Sequence, residues 1–426
     1  CYMVSMSWFA EDIMYSYSVG GPETRDIVDS LHIFNYTQSA HDSIFLEHCY
    51  NCQNCYHSTG LNDCFFCYDC KGCSDCFMCV NLRQKKYCIL NKQYSKEEYK
   101  KILKSYKLET FSGRERVKKE FREFLSKQPG RFADIRNSVN CSGSCLLNCK
   151  NSRNIFYARA CEDMHYLSSG NEIKDSYDLT PAGKSSQCYE GLTPDHDSKV
   201  LFSIYSLKSE ELTYVENCHS SKHLFGCSAI KHGQYCILNK EYPKEEYFKL
   251  RDKIIEHMKQ TGEYGEFFPS SMSNFGYNET MAQEYFPLTK EKALTRGFKW
   301  WDKLQKTTGQ ETLLPKNIPD SIHDVTEDIL KEVLRCIECG RNYKIVQNEL
   351  NFYKKHFIPI PRKCFYCRNS ARLKFENPFK LWHRECMCSE SKHGHEDKCS
   401  NKFETSYSPE RAEVVYCEQC YNKEVY

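Results

Sequence analysis

The stretch Tyr87–Tyr99, YCILNKQYSKEEY, occurs a second time as YCILNKEYPKEEY at Tyr235–Tyr247, 148 residues further along the chain. Eleven of the thirteen positions are identical in the two copies. In both, a segment with several cysteines precedes the stretch and a charged, helix-forming segment follows it. The chain up to residue 265 is therefore predicted to be one unit used twice.

Cysteine recurs at every third residue before the first copy, at Cys49, Cys52, Cys55, Cys64, Cys67, Cys70, Cys73, Cys76 and Cys79. A period of three matches neither an α-helix nor a flat strand. It suits a chain that turns corners often and stacks small residues inside. Residues 140–236 read similarly, with beats of about 20 residues, as repeat architectures show. We predict a mainly β protein with some α, built on a duplicated cysteine-rich β-solenoid that is β-helix-like.

The cysteines of this run allow two roles. Between Cys49 and Cys79 they could hold several metal ions or an iron–sulfur cluster. They could instead form a ladder of small buried side chains, a role that free cysteine fills well. At the 148-residue offset, the positions that stay cysteine are Cys218, Cys227 and Cys236. Because an essential metal site should have been duplicated with its unit, we favour the ladder, and an enzyme or redox protein using this run is the alternative.

Helices are predicted directly after each copy of the repeated stretch. Ser95 stands where an N-cap belongs, with acidic residues in the turn that follows, and Pro243 suits the first turn of the second helix. Another helix is predicted from Arg114. We interpret these helices as caps over the ends of the solenoids. A purely structural protein that assembles through such ends is a third hypothesis.

An aromatic clasp and a linker are predicted to follow at residues 266–320. Aromatic residues recur there without a clean period, and one short helix is expected at Lys290–Arg296. A helix from Asp324, with Glu327 as its capping-box partner, is predicted to lead into the first metal module.

The strongest chemical pattern is the pair Cys336-x-x-Cys339 and Cys364-x-x-Cys367, separated by 24 residues. Each pair can form a tight knuckle that turns two thiolates toward one ion, and two knuckles complete a tetrahedral four-sulfur zinc site. Gly340 supplies the permissive backbone that such a knuckle needs. Four thiolates leave no open coordination position, so the predicted zinc ion is structural.

A second zinc module is predicted to end in Cys417-x-x-Cys420. The candidates for its other half are Cys386, Cys388 and Cys399, with His393 and His395 nearby. We predict Cys388 and Cys399, because Cys386 and Cys388 are two residues apart and do not both suit one ion beside Cys399. Cys386 or His395 remain open as substitutes. Together the two modules predict two structural zinc ions.

Charge differs between the two modules, although the whole chain is nearly balanced with 59 basic and 57 acidic residues. Residues 340–384 carry eleven lysines and arginines against two glutamates, whereas residues 385–426 carry nine acidic and five basic side chains. A basic ribbon interleaved with aromatic residues could grip phosphates and stack bases. The candidate nucleic-acid contacts are Lys354, Lys355, Arg362, Lys363 and Arg368; another protein is the alternative partner.

Cysteine usage predicts a reducing compartment. C-x-x-C pairs in a chain of this length suit metal thiolates better than a disulfide framework, so we expect the cytoplasm. No apolar run approaches the roughly 18 residues of a membrane span, so no membrane partner is expected. The opening CYMVSMSWFAEDI has no signal-peptide pattern, and its start at Cys1 leads us to expect further residues before it.

Catalytic motifs are not found in a suitable context, including G-x-S-x-G, the P-loop and H-E-x-x-H. The histidines of the second repeat, which are predicted to be surface or corner residues, are His165, His196, His219 and His223. We therefore predict no catalytic residues and a role other than catalysis.

The segment from Cys336 contains CIECGRNY, ELNFY and PRKCFYCR, and in these motifs it resembles a zinc-ribbon (treble-clef-like) family. The wider chain contains NLRQKKYCILNKQYSKEEY, YNETMAQEYFPLTK and FETSYSPERAEVVYCEQCY. With these it resembles uncharacterised zinc-ribbon proteins of candidate-phyla bacteria. The resemblance implies zinc ribbons and no particular activity, and it leaves the choice between Cys386 and Cys388 open.

The predicted organisation has five parts: a first solenoid repeat with capping helices (1–130), a second with its capping helix (131–265), the clasp and linker (266–320), a basic zinc ribbon (321–384) and a second zinc module (385–426). The predicted function is a zinc-binding intracellular scaffold or interaction protein that contacts nucleic acid through the basic ribbon.

Overall fold

A computed structural model describes residues 60–304, 306–374 and 376–426, together with the backbone of five short strands in residues 1–59. The protein is mainly β with some α, as the sequence predicts. Among the described residues no helix combines the length and the apolar character needed to cross a lipid bilayer.

The N-terminal part holds two small sheets. The first contains five parallel strands: β1 (Ser5–Ser7), β2 (Tyr17–Val19), β3 (Leu31–Ile33), β4 (Leu46–Glu47) and β5 (Ser58–Thr59). The second contains β6 (Ser74–Phe77), β7 (Lys86–Ile89) and β8 (Lys92–Gln93). In this second sheet β6 and β7 are parallel, whereas β8 turns back antiparallel to β7.

A twelve-stranded sheet follows strand β9 (Pro129–Arg131), which is not part of it. Its strands are β10 (Ile135–Arg136), β11 (Gly143–Leu147), β12 (Arg153–Arg159), β13 (Glu162–Asn171), β14 (Lys174–Thr180), β15 (Ala182–Gly183), β16 (Tyr189–Asp195), β17 (Ser198–Leu207), β18 (Glu210–His219), β19 (Lys222–Phe225), β20 (Gln234–Ile237) and β21 (Lys240–Glu241). Successive strands are parallel except for β21, which again turns back.

Strands β6 and β7 of the smaller sheet, and strands β11 to β20 of the larger one, share a register in which a residue lies opposite the residue twelve positions later. The interval differs at other pairs: it is eleven residues between β10 and β11, fourteen between β2 and β3, and thirteen between β3 and β4. Ser74 lies opposite Lys86 in the smaller sheet, and Ser198 lies opposite Glu210 in the larger one. Isolated bridges such as Phe65 to Phe77 keep the same interval. The beat of about 20 residues expected from repeat architectures is therefore wrong, and twelve residues separate equivalent positions.

Within this register every third residue is buried, and the residue before it has a left-handed backbone. Asp63, Phe66 and Asp69 have φ between +44° and +54°, and each precedes a buried cysteine. Left-handed φ is costly for most L-residues, and Asn and Asp tolerate it best, which accounts for their frequency here. We call the residues at every third position, Cys64 to Cys79 and Leu146 to Cys236, the inward positions.

The core of the larger sheet consists of inward positions. Its buried members are Leu146, Cys149, Ile155, Ala158, Cys161, Met164, Leu167, Ile173, Leu179, Cys188, Val200, Leu212, Val215, Cys218, Leu224, Cys227 and Cys236. All of them fall on one period of three. The period of the cysteine run therefore continues through the second repeat, where leucine, isoleucine, serine and glycine take most of the places.

Each copy of the repeated stretch ends its sheet in the same way. Asn91 Oδ1 accepts a hydrogen bond from Val80 N at 2.8 Å, and Asn91 Nδ2 donates to Val80 O at 2.9 Å. Asn239 forms the same two bonds with Ser228, both at 2.9 Å. The two copies therefore have the same local structure, including the asparagine side chain that bonds the backbone N–H and carbonyl of the residue eleven positions earlier.

Three helices follow these ends, as predicted: α1 (Lys96–Ser105), α2 (Phe111–Leu125) and α3 (Lys244–Thr261). Ser95 is the N-cap of α1, and its side chain exchanges capping-box bonds with Glu98. Pro243 is the N-cap residue of α3 rather than part of its first turn. Tyr99 of α1 is buried against the sheet of β6 to β8, and Tyr247 of α3 takes the matching place against the twelve-stranded sheet.

The clasp region contains the short helices α4 (Met281–Tyr285) and α5 (Lys290–Thr295), the latter as predicted. Single 3₁₀ turns lie at Ser270–Met272, Tyr277–Glu279 and Pro315–Asn317. The α-helix expected from Asp324 is wrong, because two further 3₁₀ turns, Ile322–Asp324 and Glu327–Leu330, occupy this stretch. Their isoleucines Ile322 and Ile329 are buried in the core of the first C-terminal module.

Two C-terminal modules share one plan, a two-stranded antiparallel ribbon followed by a helix. The first has β22 (Leu334–Arg335), β23 (Asn342–Tyr343), α6 (Gln347–Lys355) and α7 (Phe365–Leu373). The second has β24 (Trp382–Glu385), a 3₁₀ turn at Ser391–His393, β25 (Lys402–Thr405), β26 (Val414–Tyr416) and α8 (Glu418–Val425).

The second module contacts the first repeat and the segment that leads into the larger sheet. Its strand β26 pairs in parallel with β9. Tyr407 OH lies 3.0 Å from Tyr68 OH in the first repeat, and Tyr421 OH donates to Asp69 and Asn81 there. Thr405 Oγ1 donates to the carbonyl of Phe132 at 2.5 Å, ahead of the larger sheet. The chain end is therefore fixed to residues far away in sequence.

Candidate metal centres

The first C-terminal module brings the four predicted zinc ligands together. The Sγ atoms of Cys336, Cys339, Cys364 and Cys367 all lie within 4.8 Å of one another. Cys339 Sγ and Cys364 Sγ are 3.7 Å apart. A tetrahedral ion with Zn–S bonds of about 2.3 Å places its sulfur ligands about 3.8 Å apart, so the spacing of Cys339 and Cys364 matches that of two zinc ligands.

Local backbone structure explains how the two C-x-x-C pairs converge. Gly340, with φ +71°, closes the knuckle between β22 and β23, and its N–H donates to Cys336 O at 3.1 Å. Cys364 is the N-cap of α7, so Cys367 lies in the first turn of that helix. The positive end of a helix dipole favours ionised thiols, which are the form that binds metal.

The same arrangement recurs in the second module, where Cys417 is the N-cap of α8 and Cys420 lies in its first turn. The thiols that join these two within 4.8 Å are those of Cys386 and Cys399. Cys399 Sγ and Cys417 Sγ are 4.0 Å apart. The structure thus places Cys386 in the position for which the sequence predicts Cys388.

Cys388 lies in a different group, with His393, His395 and Cys420, whose ligand atoms are again mutually within 4.8 Å. Cys420 therefore belongs to both groups of the second module. The described residues contain three groups that can hold a metal ion, one more than the two expected from the sequence.

Thiol ionisation is favoured at one cysteine in each four-sulfur group. Burial works against it at Cys336, but hydrogen bonds from the backbone of Cys339 and Cys364 outweigh burial and lower its pKa to about 7. Burial likewise opposes ionisation of Cys417, and a hydrogen bond from Asn401 helps to lower its pKa to about 7. Burial raises the pKa of Cys364 and of Cys386 to about 11, so each group contains one thiol that ionises near neutral pH and others that need a cation to do so.

The cysteine run before the first copy has a different environment. Cys64, Cys67, Cys70, Cys73, Cys76 and Cys79 are 0–2% exposed. Among the described residues, these thiols are in none of the groups that can hold a metal ion. Cys49, Cys52 and Cys55 lie outside the residues whose side chains are described. A metal or cluster in the run Cys49–Cys79 stays a hypothesis.

Serine and cysteine make the same hydrogen bonds at inward positions. Ser176 Oγ donates to the carbonyl two residues earlier at 2.7 Å, and it accepts the N–H twelve residues later at 3.0 Å. Cys73 Sγ makes the equivalent bonds to Lys71 O and from Lys85 N, both at 3.5 Å. The described cysteines thus make hydrogen bonds that a serine makes equally well. This favours the interpretation of the run as a ladder of small buried side chains over a metal site.

The five candidate nucleic-acid contacts are not one exposed surface. Arg362 is 6% exposed, and its Nη2 donates to Pro319 O while its guanidinium lies over the ring of Phe111. Arg368 Nη1 donates to Tyr353 OH at 3.0 Å. Lys363 Nζ lies 2.6 Å from Glu338 Oε2, whereas Lys354 and Lys355 are exposed on α6.

A basic cleft of about 170 Å³ lies between α2 and this module. Its cationic lining residues are Arg114, Lys118, Arg122, Arg362, Lys363, Arg368 and Arg372, and Glu115 is the acidic residue among those that line it. Arg362 Nη1 is buried and has no hydrogen-bond partner among the described residues. The sequence did not predict this cleft. Three of its cations, Arg114, Lys118 and Arg122, belong to α2, which is far from this module in sequence. A fourth, Arg372, is a buried residue of α7.

The histidines of the second repeat are partly where the sequence predicts. His196 is exposed and lies 3.0 Å from Asp195, whereas His223 is buried and lies 2.9 Å from Glu211. His165 stacks on Tyr177, and His223 stacks on Tyr235, each twelve residues later. These stacked rings lie on adjacent parallel strands and stabilise the pairing of residues twelve positions apart.

The fold and the sites define a cysteine-rich, mainly β protein with candidate metal centres in its C-terminal modules. No model of a known protein family matches the chain, and no curated protein matches it.

Proposed function

We propose that this chain is a zinc-binding scaffold whose C-terminal modules hold two strand stacks together. The first stack contains β6 and β7 with the bridged residues around them, and the second is the twelve-stranded sheet. The observation that carries the proposal is the convergence of two C-x-x-C pairs on one point, at Cys336, Cys339, Cys364 and Cys367. Four thiolates select zinc over harder cations, and they fill its coordination shell. The second module offers Cys386, Cys399, Cys417 and Cys420 in the same arrangement.

Each strand stack is proposed to be a β-solenoid of twelve-residue coils. The interval of twelve between paired residues from β11 to β20, and between β6 and β7, supports this, as does the burial of most residues at every third position. Four three-residue sides, each beginning at a left-handed residue, complete one coil and bring the chain back over itself. Stacked coils of this kind bury their faces against their neighbours.

The scaffold role follows from the contacts of the second module. Arg131, between the two stacks, forms paired hydrogen bonds with Glu418, the first residue of α8. Tyr421 of the same helix donates to Asp69 and Asn81 in the first stack. Because α8 begins at a metal-ligand cysteine, the ion is expected to fix the helix that joins the stacks. Free thiols of this kind persist in a reducing compartment, and we place the protein in the cytoplasm.

Metal removal tests this proposal. The full chain, purified without oxygen, is expected to contain zinc and no iron, and a chelator is expected to increase amide hydrogen exchange in β9, β26 and α8 together. A Cys417→Ser variant should show the same exchange pattern without chelator. The scaffold proposal would be overturned by iron in the purified chain, or by amide hydrogen exchange in these elements that does not change when zinc is removed.

The basic cleft supports a second candidate function, contact with the phosphates of nucleic acid. Seven cationic side chains and one carboxylate line the cleft. Lys363 is paired with Glu338 and Arg368 with Glu349, and the lining still has an excess of positive charge. Arg362, one of the lining residues, has a buried Nη1 without a hydrogen-bond partner among the described residues. A groove of this sign attracts a phosphate backbone, and the affinity depends on salt. The contact residues proposed here are those lining the cleft, Lys363 among them, rather than the exposed lysines of α6.

Charge reversal separates these two surfaces. Lys363→Glu and Lys118→Glu should each weaken binding of a labelled single-stranded oligonucleotide and reduce the salt slope by about 1. Lys354→Glu is the matched control, because Lys354 is exposed on the same module and does not line the cleft. No binding at low salt, or an equal loss in the Lys354→Glu variant, would contradict the cleft as the contact surface.

A further inference from the structure

We propose that the second module holds two metal ions that share the thiolate of Cys420. This inference rests on the proposed zinc-binding function and adds a site to it. The two ligand groups of this module together contain seven side chains: Cys386, Cys388, His393, His395, Cys399, Cys417 and Cys420. Two tetrahedral ions need eight ligand positions, and seven side chains supply them when one thiolate bridges.

Distances within the mixed group fit a tetrahedral ion. Cys388 Sγ lies 3.1 Å from His393 Nδ1, and Cys420 Sγ lies 3.5 Å from His395 Nε2. Sulfur and nitrogen ligands of one tetrahedral zinc, with bonds of about 2.3 and 2.0 Å, stand about 3.5 Å apart. These two pairs lie within a few tenths of an ångström of that spacing.

Both histidines have the orientation of a metal ligand. His395 turns Nε2 to the site, and its Nδ1 lies 2.5 Å from the backbone carbonyl of Asp397. His393 turns Nδ1 to the site, and its Nε2 lies 3.2 Å from Glu424 Oε2, within ion-pair distance although outside hydrogen-bond geometry. A ligating imidazole commonly directs its second nitrogen to a carboxylate or carbonyl, which fixes its tautomer.

The backbone between the histidines brings them to one point. Gly394 ends the 3₁₀ turn Ser391–His393 with φ +88°, a conformation that favours glycine. This left-handed residue reverses the chain, so that two histidines separated by one residue face the same cysteines. A side chain at position 394 would therefore strain the turn that positions both ligands.

Electrostatics favour the shared centre over one isolated four-thiolate ion in this module. Each isolated four-thiolate zinc carries two net negative charges. In the shared centre, five thiolates and two neutral imidazoles face two divalent ions, and one net negative charge remains. The lower charge matters because Cys388 is 0% exposed and His393 is 4% exposed, and burying charge is costly.

Counting metal in matched variants tests the bridge. The full chain is expected to bind three zinc ions, and His393→Ala and Cys388→Ala are each expected to bind two. His383→Ala is the control and should keep three, since the His383 side chain is 88% exposed and outside both groups. Two zinc ions in the unaltered chain would overturn the shared centre while leaving the scaffold proposal in place, whereas fewer than two would overturn both.

Cobalt substitution supplies a readout that does not depend on folded variants. Three cobalt ions in the unaltered chain should give a paramagnetic resonance signal well below that of three isolated ions, because a thiolate bridge couples two of them. A signal equal to three independent ions would show that Cys420 does not bridge and would overturn the proposal.

Discussion

Asp197 occupies an inward position at which a charge is costly. Its side chain is 3% exposed; Oδ2 accepts a hydrogen bond from Ser206 Oγ at 2.6 Å and Oδ1 accepts one from Ser209 N at 2.8 Å. Burial outweighs these bonds and raises the pKa of the carboxyl from 3.8 to about 6. The folded chain therefore holds this proton more tightly than the unfolded chain.

Stability should consequently fall as pH rises through the interval between these two pKa values. The contribution is fully favourable below pH 3.8 and is lost by about pH 6, with a total of about 2–3 kcal/mol. Asp197→Asn removes the charge: its Oδ1 can still accept from Ser209 N, and its Nδ2 would donate to Ser206 Oγ in place of the bond that Asp197 accepts. Its stability relative to the unaltered chain should therefore rise between pH 4 and pH 7. Thermal unfolding of the two proteins across this range measures the difference, and a difference that is constant with pH would contradict the account.

Cysteine at inward positions should tolerate serine, unlike cysteine in the metal groups. Cys227 Sγ donates to Phe225 O and accepts from Asn239 N, both at 3.4 Å, and Ser221, two inward positions earlier, makes the equivalent bonds to His219 O and from Gly233 N. We expect Cys227→Ser to cost less than about 1.5 kcal/mol of unfolding free energy. Cys417→Ser should instead remove bound zinc. Metal content and melting temperature measured on both variants check this contrast; zinc loss in Cys227→Ser would contradict it.

At the scale of the elements, the repeated stretch is where the sequence predicted most. Identity at Asn91 and Asn239 indicated one common structure, and both side chains close the last strand of their sheets with the same two bonds. The helices after both copies could be predicted because their caps and periodicity are local properties.

The coil length could not be read in the same way. An inward position requires small size or apolar character and not one residue type, so Ile155, Ser176 and Gly191 hide the period that cysteine reveals before the first copy. The helix expected from Asp324 failed because burial of Ile322 and Ile329 is satisfied by tighter 3₁₀ turns. Tertiary packing outweighed the local capping pattern there.

The ligand prediction in the second module depended on an assumption about number. With one ion, Cys386 and Cys388 compete for a place beside Cys399, and the sequence offers no physical basis for the choice. The structure puts the two cysteines in different groups. Spacing predicted which residues take part, but the partition of neighbours between two groups depends on the three-dimensional path of the chain.

Asn239 provides a test of the closing bonds. Asn239→Ala removes two hydrogen bonds to Ser228 and should lower the unfolding free energy by about 1–3 kcal/mol beyond the cost of alanine in a left-handed backbone. Asn217→Ala is the matched control, because Asn217 is exposed and left-handed with φ +52°. Chemical denaturation of both variants gives the comparison. Equal losses would mean that the backbone conformation, and not the side-chain bonds, stabilises this end.

At the scale of the whole molecule, the contacts between the second module and the first stack should be energetically coupled. Tyr68 OH and Tyr407 OH, 339 residues apart in sequence, share a hydrogen bond of 3.0 Å. A double-mutant cycle with Tyr68→Phe and Tyr407→Phe should give a coupling energy of about 0.5–1.5 kcal/mol. Zinc removal should reduce this coupling, because the strand and helix that present the module are fixed by its metal ligands. Additive single losses would contradict the docked arrangement.

The interval of twelve residues, which holds from β11 to β20 of the larger sheet, ties the length of that strand stack to the number of residues in it. Adjacent strands lie about 4.8 Å apart, so inserting or deleting twelve residues would change the length of a stack by one such step and return every later side chain to its former environment. A length change that is not a multiple of three would turn each inward residue outward from that point onward. Insertions and deletions in this part of related chains should therefore be multiples of twelve residues, and each should change the length of the stack by one strand spacing.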